Sequence, residues 1–273
     1  MKLIQLSDIH LTTPGKTIGG RDPRRNFERA LTHVLRDHHD AELMVITGDL
    51  SDWGDREDYV WLKQRLGEFP IPTRLCIGNH DRRDVFLSVF PECADGGFVQ
   101  GSHDASAARC LLLDTVEPNT HAGRYCDARL GWLARQLDEH PGPFLLFMHH
   151  NPVPTHLGPM DQIRLLDDVA FRRLIGAHRN RIRHVFFGHC HLPLAGSVAG
   201  VPTSSLRGTN HASYPLFSET VMLSASDLPE SYGVAFVGDD YITVHMVEFG
   251  YDGPIRVEGS PDYTAWDRET MVR

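Results

Sequence analysis

The chain has 273 residues, 41% of them hydrophobic and 23% charged, with a formal net charge of −9; it is long enough to bury a sizeable core as one large α/β domain or as a domain with an accessory lobe. The negative balance argues against a nucleic-acid backbone or an anionic membrane as the main partner, so an anionic substrate must be held by local positive charge such as bound metal ions. Five cysteines (Cys76, Cys93, Cys110, Cys126 and Cys190) form no CxxC and no even framework, which fits a reducing compartment.

In chain order, Lys2 to Leu6 reads as a strand, and a Gly-containing loop from Leu11 to Arg21 follows it. Asp22-Pro23 is a helix start signal for Arg24 to Asp37, where Phe27, Ala30, Leu31, Val34 and Leu35 recur at helical spacing. A strand at Leu43 to Thr47 completes a β-α-β unit. A helix over Asp55 to Gly67 leads to a strand at Arg74 to Ile77, and a short helix covers Asp84 to Phe90. Arg109 to Asp114 reads as a strand, Asp127 to His140 as an amphipathic helix and Phe144 to Met148 as a buried strand. Asn151 to Asp168 is loop-like, and a helix at Val169 to Ala177 precedes a strand ending at Val185-Phe186-Phe187. Ala195 to Ala199, Thr203 to Leu206, Val234 to Val237 and Tyr241 to Phe249 alternate in the manner of an antiparallel sheet; residues 250 to 273 hold no element. No signal-like segment precedes the first strand, and no apolar run approaches the roughly 18 residues of a membrane span, so a cytoplasmic location is expected.

Five of these apolar strands end in Asp, Asn or His: Asp8-Ile9-His10, Gly48-Asp49, Gly78-Asn79-His80-Asp81, His149-His150 and Gly188-His189-Cys190-His191. Any one of them also fits a polar turn or a satisfied core histidine. Together they place ligand-type side chains where α/β folds hold their ligands, at the C-terminal ends of strands. Asp8, His10, Asp49, Asn79, His149, His189 and His191 offer imidazole nitrogens and carboxylate or amide oxygens without sulfur, a set that suits Mn, Fe, Co or Zn. Seven side chains exceed one tetrahedral ion, and a bridging Asp49 would let them serve two. In an extended i, i+2 pair both side chains face one way, so Asp8/His10 and His189/His191 could each present two ligands to one cavity. His33, His38, His39, His140 and His178 lie among charged residues and read as solvated.

The series D-x-H, G-D, G-N-H-D, H and G-H-x-H, complete and in order from Leu3 to about Gly208, resembles the calcineurin-like metallophosphoesterases. The resemblance implies a four-layer α/β/β/α sandwich of two mixed sheets. Residues 1–208 would form the core, and residues 209–273 would complete the sandwich and supply a cap or dimer contact. It also implies one metal on Asp8, His10, Asp49 and His191 and a second on Asp49, Asn79, His149 and His189. His149 is preferred to His150 because the family's ligand directly follows its strand. His80 is then the group that donates to the leaving oxygen, with Asn79 and His80 facing substrate, and Asp52 orients His80 as a carboxylate three residues after the bridging Asp does in related phosphatases; Asp52 fits a helix N-terminal cap region equally well.

Trp53-Gly54 stands where the family's protein phosphatases carry an Arg-containing signature. The chain is more similar to the bacterial branch that hydrolyses cyclic nucleotides or glycerophosphodiesters, in which Thr209-Asn210-His211 would place His211 against substrate; a polar turn explains that tripeptide as well. The resemblance thus implies a dinuclear hydrolase of small phosphodiesters, with no nucleic-acid or membrane partner and a homodimer or higher homo-oligomer. A phosphomonoesterase or nucleotidase on the same site and a non-catalytic metal-binding scaffold are the alternatives.

Overall fold

The computed structural model describes residues 1–256; the remainder of the 209–273 segment lies outside the described residues. β1 (Lys2–Leu6), α1 (Pro23–His38), β2 (Leu43–Thr47), α2 (Arg56–Gly67), β3 (Thr73–Cys76) and α3 (Arg83–Val89) form successive β-α units. Asp22 caps α1 by accepting from the Arg25 amide at 3.1 Å, with Pro23 in the first turn, where its missing N–H costs nothing. Among the described residues, the two-residue strands β4 (Ala94–Asp95) and β5 (Phe98–Val99) pair only with each other. β6 (Gly101–Asp104), β7 (Arg109–Leu112), α4 (Asp127–Glu139), β8 (Phe144–Phe147), α5 (Gly158–Gln162), α6 (Val169–Ala177) and β9 (Ile182–Phe186) make the second half. The chain ends, within the described residues, with β10 (Leu194–Val198), β11 (Val201–Ser205), β12 (Tyr232–Val237) and β13 (Ile242–Val247).

The strands form two mixed sheets, ordered β13-β12-β1-β2-β3 and β10-β11-β9-β8-β7-β6. β1, β2 and β3 run parallel, with Ile4 opposite Met44 and Ile46 opposite Leu75, while β12 pairs antiparallel with β1. In the other sheet β7, β8, β9 and β11 are parallel and the edges β6 and β10 are antiparallel. Burial explains why β1, β2 and β8 read as unbroken apolar runs. On β2, Met44 and Ile46 pack with Phe27, Leu31 and Leu62 of the helices, whereas Leu43 and Val45 face the opposite sheet. On β8, Leu146 and Phe144 lie with Trp132 and Phe171, whereas Leu145 and Phe147 face inward. Both faces of each central strand are therefore covered, as parallel sheets require, and the result is helix, sheet, sheet, helix.

Three expectations change. The four late strands do not form one antiparallel sheet: β10 and β11 extend the second sheet through the parallel pairing of β11 with β9, and the chain then crosses to place β12 and β13 on the first. The loop expected from Asn151 to Asp168 contains α5, a five-residue helix with Pro159 in its first turn. His33 is not simply solvated, since its Nδ1 lies 2.9 Å from the Tyr232 hydroxyl, a partner supplied by the distant β12.

Phe147 stacks on Phe186 between the sheets, with ring centroids 5.0 Å apart. Phe147→Ala is expected to lower unfolding free energy by about 3–5 kcal/mol, read as a lower urea midpoint; a loss below about 1 kcal/mol would show that the sheets do not rely on this contact.

Candidate metal centre

The five polar strand ends meet at one edge of the two sheets. The segment after β1 continues alongside that after β2: the Asp8 amide donates to the Gly48 carbonyl at 3.0 Å and the His10 amide to the Asp49 carbonyl at 2.8 Å. The second sheet joins them through the His189 amide, which donates to Asp8 Oδ1 at 3.1 Å, while within the second sheet the Gly188 amide donates to the His149 carbonyl at 3.0 Å. Glycines precede three of the polar groups because the backbones approach too closely for a side chain. A Cβ on Gly78 would lie 2.6 Å from the Asp49 nitrogen and 2.7 Å from His149 Cε1, and one on Gly188 would lie 3.0 Å from Asp8 Oδ2.

The side chains converge by a route that spacing does not reveal. Asp8, His10, Asp49, His189 and His191 all adopt positive φ, between 44° and 68°. The pairs Asp8/His10 and His189/His191 are therefore left-handed turns rather than extended i, i+2 pairs. Each such residue costs roughly 1–3 kcal/mol, a strain that clusters where function fixes the backbone.

Two groups of ligand atoms result. Asp8, His10, Asp49 and His191 each offer an atom within 4.8 Å of the others; His191 Nε2 is 3.3 Å from Asp8 Oδ1 and from His10 Nε2. On the other side His149 Nε2 is 3.3 Å from Asp49 Oδ2, 3.1 Å from Asn79 Oδ1 and 3.3 Å from His189 Nδ1. Asp49 Oδ2 also lies 3.6 Å from His10 Nε2, so one carboxylate oxygen faces both groups. Nitrogens and oxygens that approach one another this closely need a shared proton or cation between them. Two buried polar atoms of the set, Asp8 Oδ2 and His189 Nε2, have no hydrogen-bond partner, a costly state that a cation would relieve. The donor set and these orphaned atoms fit metal ions.

Charge within the cluster is divided. Burial opposes ionisation of Asp8 and Asp49, yet nearby imidazoles, chiefly His191 for Asp8 and His149 for Asp49, hold both carboxyls below the usual range. Burial also works against protonation of His149, but Asp49 and Asp8 outweigh it and push this imidazole up to about 9. His189 is lowered to about 3 by burial and the proximity of His149, and burial likewise lowers His10. Neutral imidazoles are the ligand form that metals need, and the proton on His149 is one that a cation would displace.

Surrounding groups orient these rings. His149 Nδ1 donates to the Thr47 carbonyl at 2.8 Å, which turns Nε2 inward, and Asp52 Oδ1 accepts from His10 Nδ1 at 3.0 Å in the carboxylate–histidine manner of metal ligands. Asp52 serves His80 differently from the sequence expectation. Its backbone carbonyl, 3.0 Å from His80 Nδ1, is nearer than its carboxylate at 3.6 Å, and the cap position of α2 is Asp55, three residues on. His150 turns away from the cluster: its Nδ1 bonds the Thr115 hydroxyl at 2.7 Å and its Nε2 the His121 carbonyl at 3.1 Å. His211 stands over the first group, its ring 4.2 Å from that of His191 and 4.8 Å from that of His10, and burial followed by those two rings lowers it to about 2.

Two residues were not marked by the sequence. Buried Asp81 accepts from the amides of Gly78 (2.8 Å), Leu50 and Ser51 (both 3.0 Å) and from the Tyr59 hydroxyl (2.9 Å), clamping the segments after β2 and β3 together. It sits in the Gly78–Asp81 motif, so its position was visible and its task was not. His121, whose Nδ1 is 2.9 Å from Asn79 Nδ2, comes from an irregular loop after β7 and carries no strand-end signal. A cavity of about 540 Å³ opens over the cluster and includes His10, Asp49, Asn79, His80, His189 and His211 in its lining.

A family model described as calcineurin-like phosphoesterase matches residues 1–193. A Rhodopseudomonas palustris protein named as a probable cyclic nucleotide phosphodiesterase is 37% identical over 263 residues, 93% of this chain and 95% of that one. A glycerophosphodiester phosphodiesterase from Enterobacter lignolyticus is 30% identical over 200 residues, 70% of this chain and 71% of that one. Among solved structures, a dimetal phosphatase from Danio rerio superposes with a TM-score of 0.69 at 14% identity, covering 91% of this chain and 96% of that one, which is a likeness of fold.

Gly78→Ala is expected to displace Asp49 and His149 together, costing at least about 2 kcal/mol of stability on the scale of overpacked cores and abolishing manganese uptake measured by elemental analysis. Normal uptake by that variant would mean that close approach of the strand ends is dispensable.

Proposed function

Because this chain belongs to the calcineurin-like phosphoesterase family, we propose that it hydrolyses small phosphodiesters, such as 3′,5′-cyclic nucleotides or glycerophosphodiesters, at a centre for two metal ions. Asp8, His10, Asp49 and His191 would hold one ion, and Asp49, Asn79, His149 and His189 the other. The observation that carries the reading is Asp49 Oδ2, placed 3.6 Å from His10 Nε2 on one side and 3.3 Å from His149 Nε2 on the other. Nitrogen and oxygen ligands without sulfur favour Mn, Fe, Co or Zn. When bound, such a pair supplies hydroxide near neutral pH and neutralises the phosphate's non-bridging oxygens. The core for this chemistry is residues 1–208; the later residues are proposed to complete it, since β12 and β13 extend the sheet of β1.

The chain's own groups do the rest. Asn79 Nδ2 lies 2.9 Å from His121 Nδ1, which orients the amide so that its Oδ1 faces His149 and the second group. The His80 amide donates to Asp49 Oδ1 at 3.0 Å, tying this residue to the carboxylate shared by both groups. With Nδ1–H donated to the Asp52 carbonyl, His80 presents Nε2 to the departing oxygen and, as imidazolium, gives up its Nε2 proton there and is left neutral. Asp52 therefore positions two imidazoles at once, His10 through its carboxylate and His80 through its backbone.

Manganese-loaded protein is expected to hydrolyse bis-p-nitrophenyl phosphate faster than p-nitrophenyl phosphate. His80→Ala should keep its metal content and lose roughly 10²–10⁴-fold in diesterase kcat, the usual span of proton-transfer catalysis. Full activity in that variant would remove His80 from the leaving-group role, and a preference for the monoester would favour a phosphomonoesterase.

A further inference from the structure

The cavity over the metal centre has a second wall, built from none of the ligand-bearing strand ends. Residues 212–226 fold as an arm. Ala212 and Ser226 form an antiparallel bridge at its base, where the Ser226 amide donates to the Ala212 carbonyl at 2.9 Å. The Tyr214 amide donates to Ser224 Oγ at 3.3 Å higher up. Near the tip the Glu219 carboxylate accepts from the amides of Val221 (2.7 Å) and Met222 (3.0 Å), which fixes the turn. The tip rests on α5, since a Cβ on Gly158 would lie 3.3 Å from the Thr220 carbonyl. This arrangement holds Val221 and Leu223 at the cavity's edge, 74% and 56% exposed, together with Met160 and Ile163 from α5 and the residue after it.

The rest of the lining says what these apolar groups would cover. Among the described residues no Lys or Arg lines this cavity, and its only carboxylates, Asp49 and Asp52, belong to the centre itself. A substrate arm that carries an ammonium group would find no anion there. An arm with a further phosphate would find no cation in this cavity beyond the metals, and a polyol would find partners only at the rim while giving up water against the aliphatic side chains. A flat uncharged ring gains from the same contact, because it removes apolar surface from water on both sides. Its polar edge would meet Gln162, Ser213 and Ser224 at the rim. The volume, about 540 Å³, lies within the range of small-molecule sites.

We propose that Met160, Ile163, Val221 and Leu223 form an apolar shelf that selects phosphodiesters whose organic arm is an uncharged aromatic ring, a nucleobase or an aryl group, over those with glycerol, choline or ethanolamine arms. This rests on the phosphodiesterase reading and narrows its substrate class.

The test compares the manganese-loaded protein with the double variant V221S/L223S on 3′,5′-cyclic AMP and on glycerophosphocholine. The exposure of both positions lets the variant fold, which its thermal melt checks. The wild type is expected to show a kcat/KM for cyclic AMP at least about tenfold above that for glycerophosphocholine, and the variant to raise KM for cyclic AMP about tenfold while kcat stays within about twofold. Constants for glycerophosphocholine should not move, and V221I/L223M should restore the cyclic AMP KM. Equal effects on both substrates, or a wild-type preference for glycerophosphocholine, would overturn the shelf. Bis-p-nitrophenyl phosphate separates the two levels: turnover of it without discrimination between arms sinks the shelf alone, while no turnover of any diester sinks the phosphodiesterase reading and the shelf with it.

Discussion

One carboxylate, Asp49, ties the molecule together. It lies two residues beyond β2, the strand flanked by β1 and β3 in the first sheet, and its side chain faces His10 from that sheet and His149 from the other. Two buried acids and several buried imidazoles cannot be brought to one point without a compensating charge. The sheets are pinned at this edge by hydrogen bonds between them, among them the His189 amide to Asp8 and His149 Nδ1 to the Thr47 carbonyl. The inter-sheet core of Phe147, Phe186, Val45 and Leu112 then keeps the two layers at the spacing that lets these groups meet. Stability is concentrated in that core, while the polar edge carries strain in five left-handed residues. The division is that of a site held by its scaffold.

Most of the scaffold was legible because its central strands are buried on both faces. Leu43–Thr47 and Phe144–Phe147 are too apolar and too short to be anything but interior strands, and α1 shows 3.6-residue spacing behind the start signal Asp22-Pro23. β4, β5 and β6 were not legible: two of them are two residues long, and Gly-Ser-His-Asp in β6 is a polar edge with one neighbour. Nor could alternation tell which sheet a late strand joins. The placement of β11 and β12 is decided by their partners, β9 for the one and the distant β1 for the other.

The candidate site was legible as a set of positions and less so as a mechanism of assembly. The seven proposed ligands lie together, and their residue types alone suggested metals. Left-handed backbone at Asp8, His10 and His191 could not be read, since nothing in D-x-H or G-H-x-H specifies φ. Asp81 is hidden by its company, because a carboxylate one residue after His80 suggests chemistry, whereas its four donors make it a clamp. At Asp52 the residue type pointed to the carboxylate, whereas the backbone carbonyl lies nearer His80. His121 could be found only once β3 and the loop after β7 were placed side by side.

The proposed centre depends on Asp49 being shared between two cations. Elemental analysis of purified protein equilibrated with manganese measures that most directly. The wild type should carry about two metal ions per chain, and Asp49→Ala should fall well below one because both groups lose the same oxygen. A variant that keeps one full equivalent would contradict the shared carboxylate, and a wild type that binds no metal would contradict the centre itself.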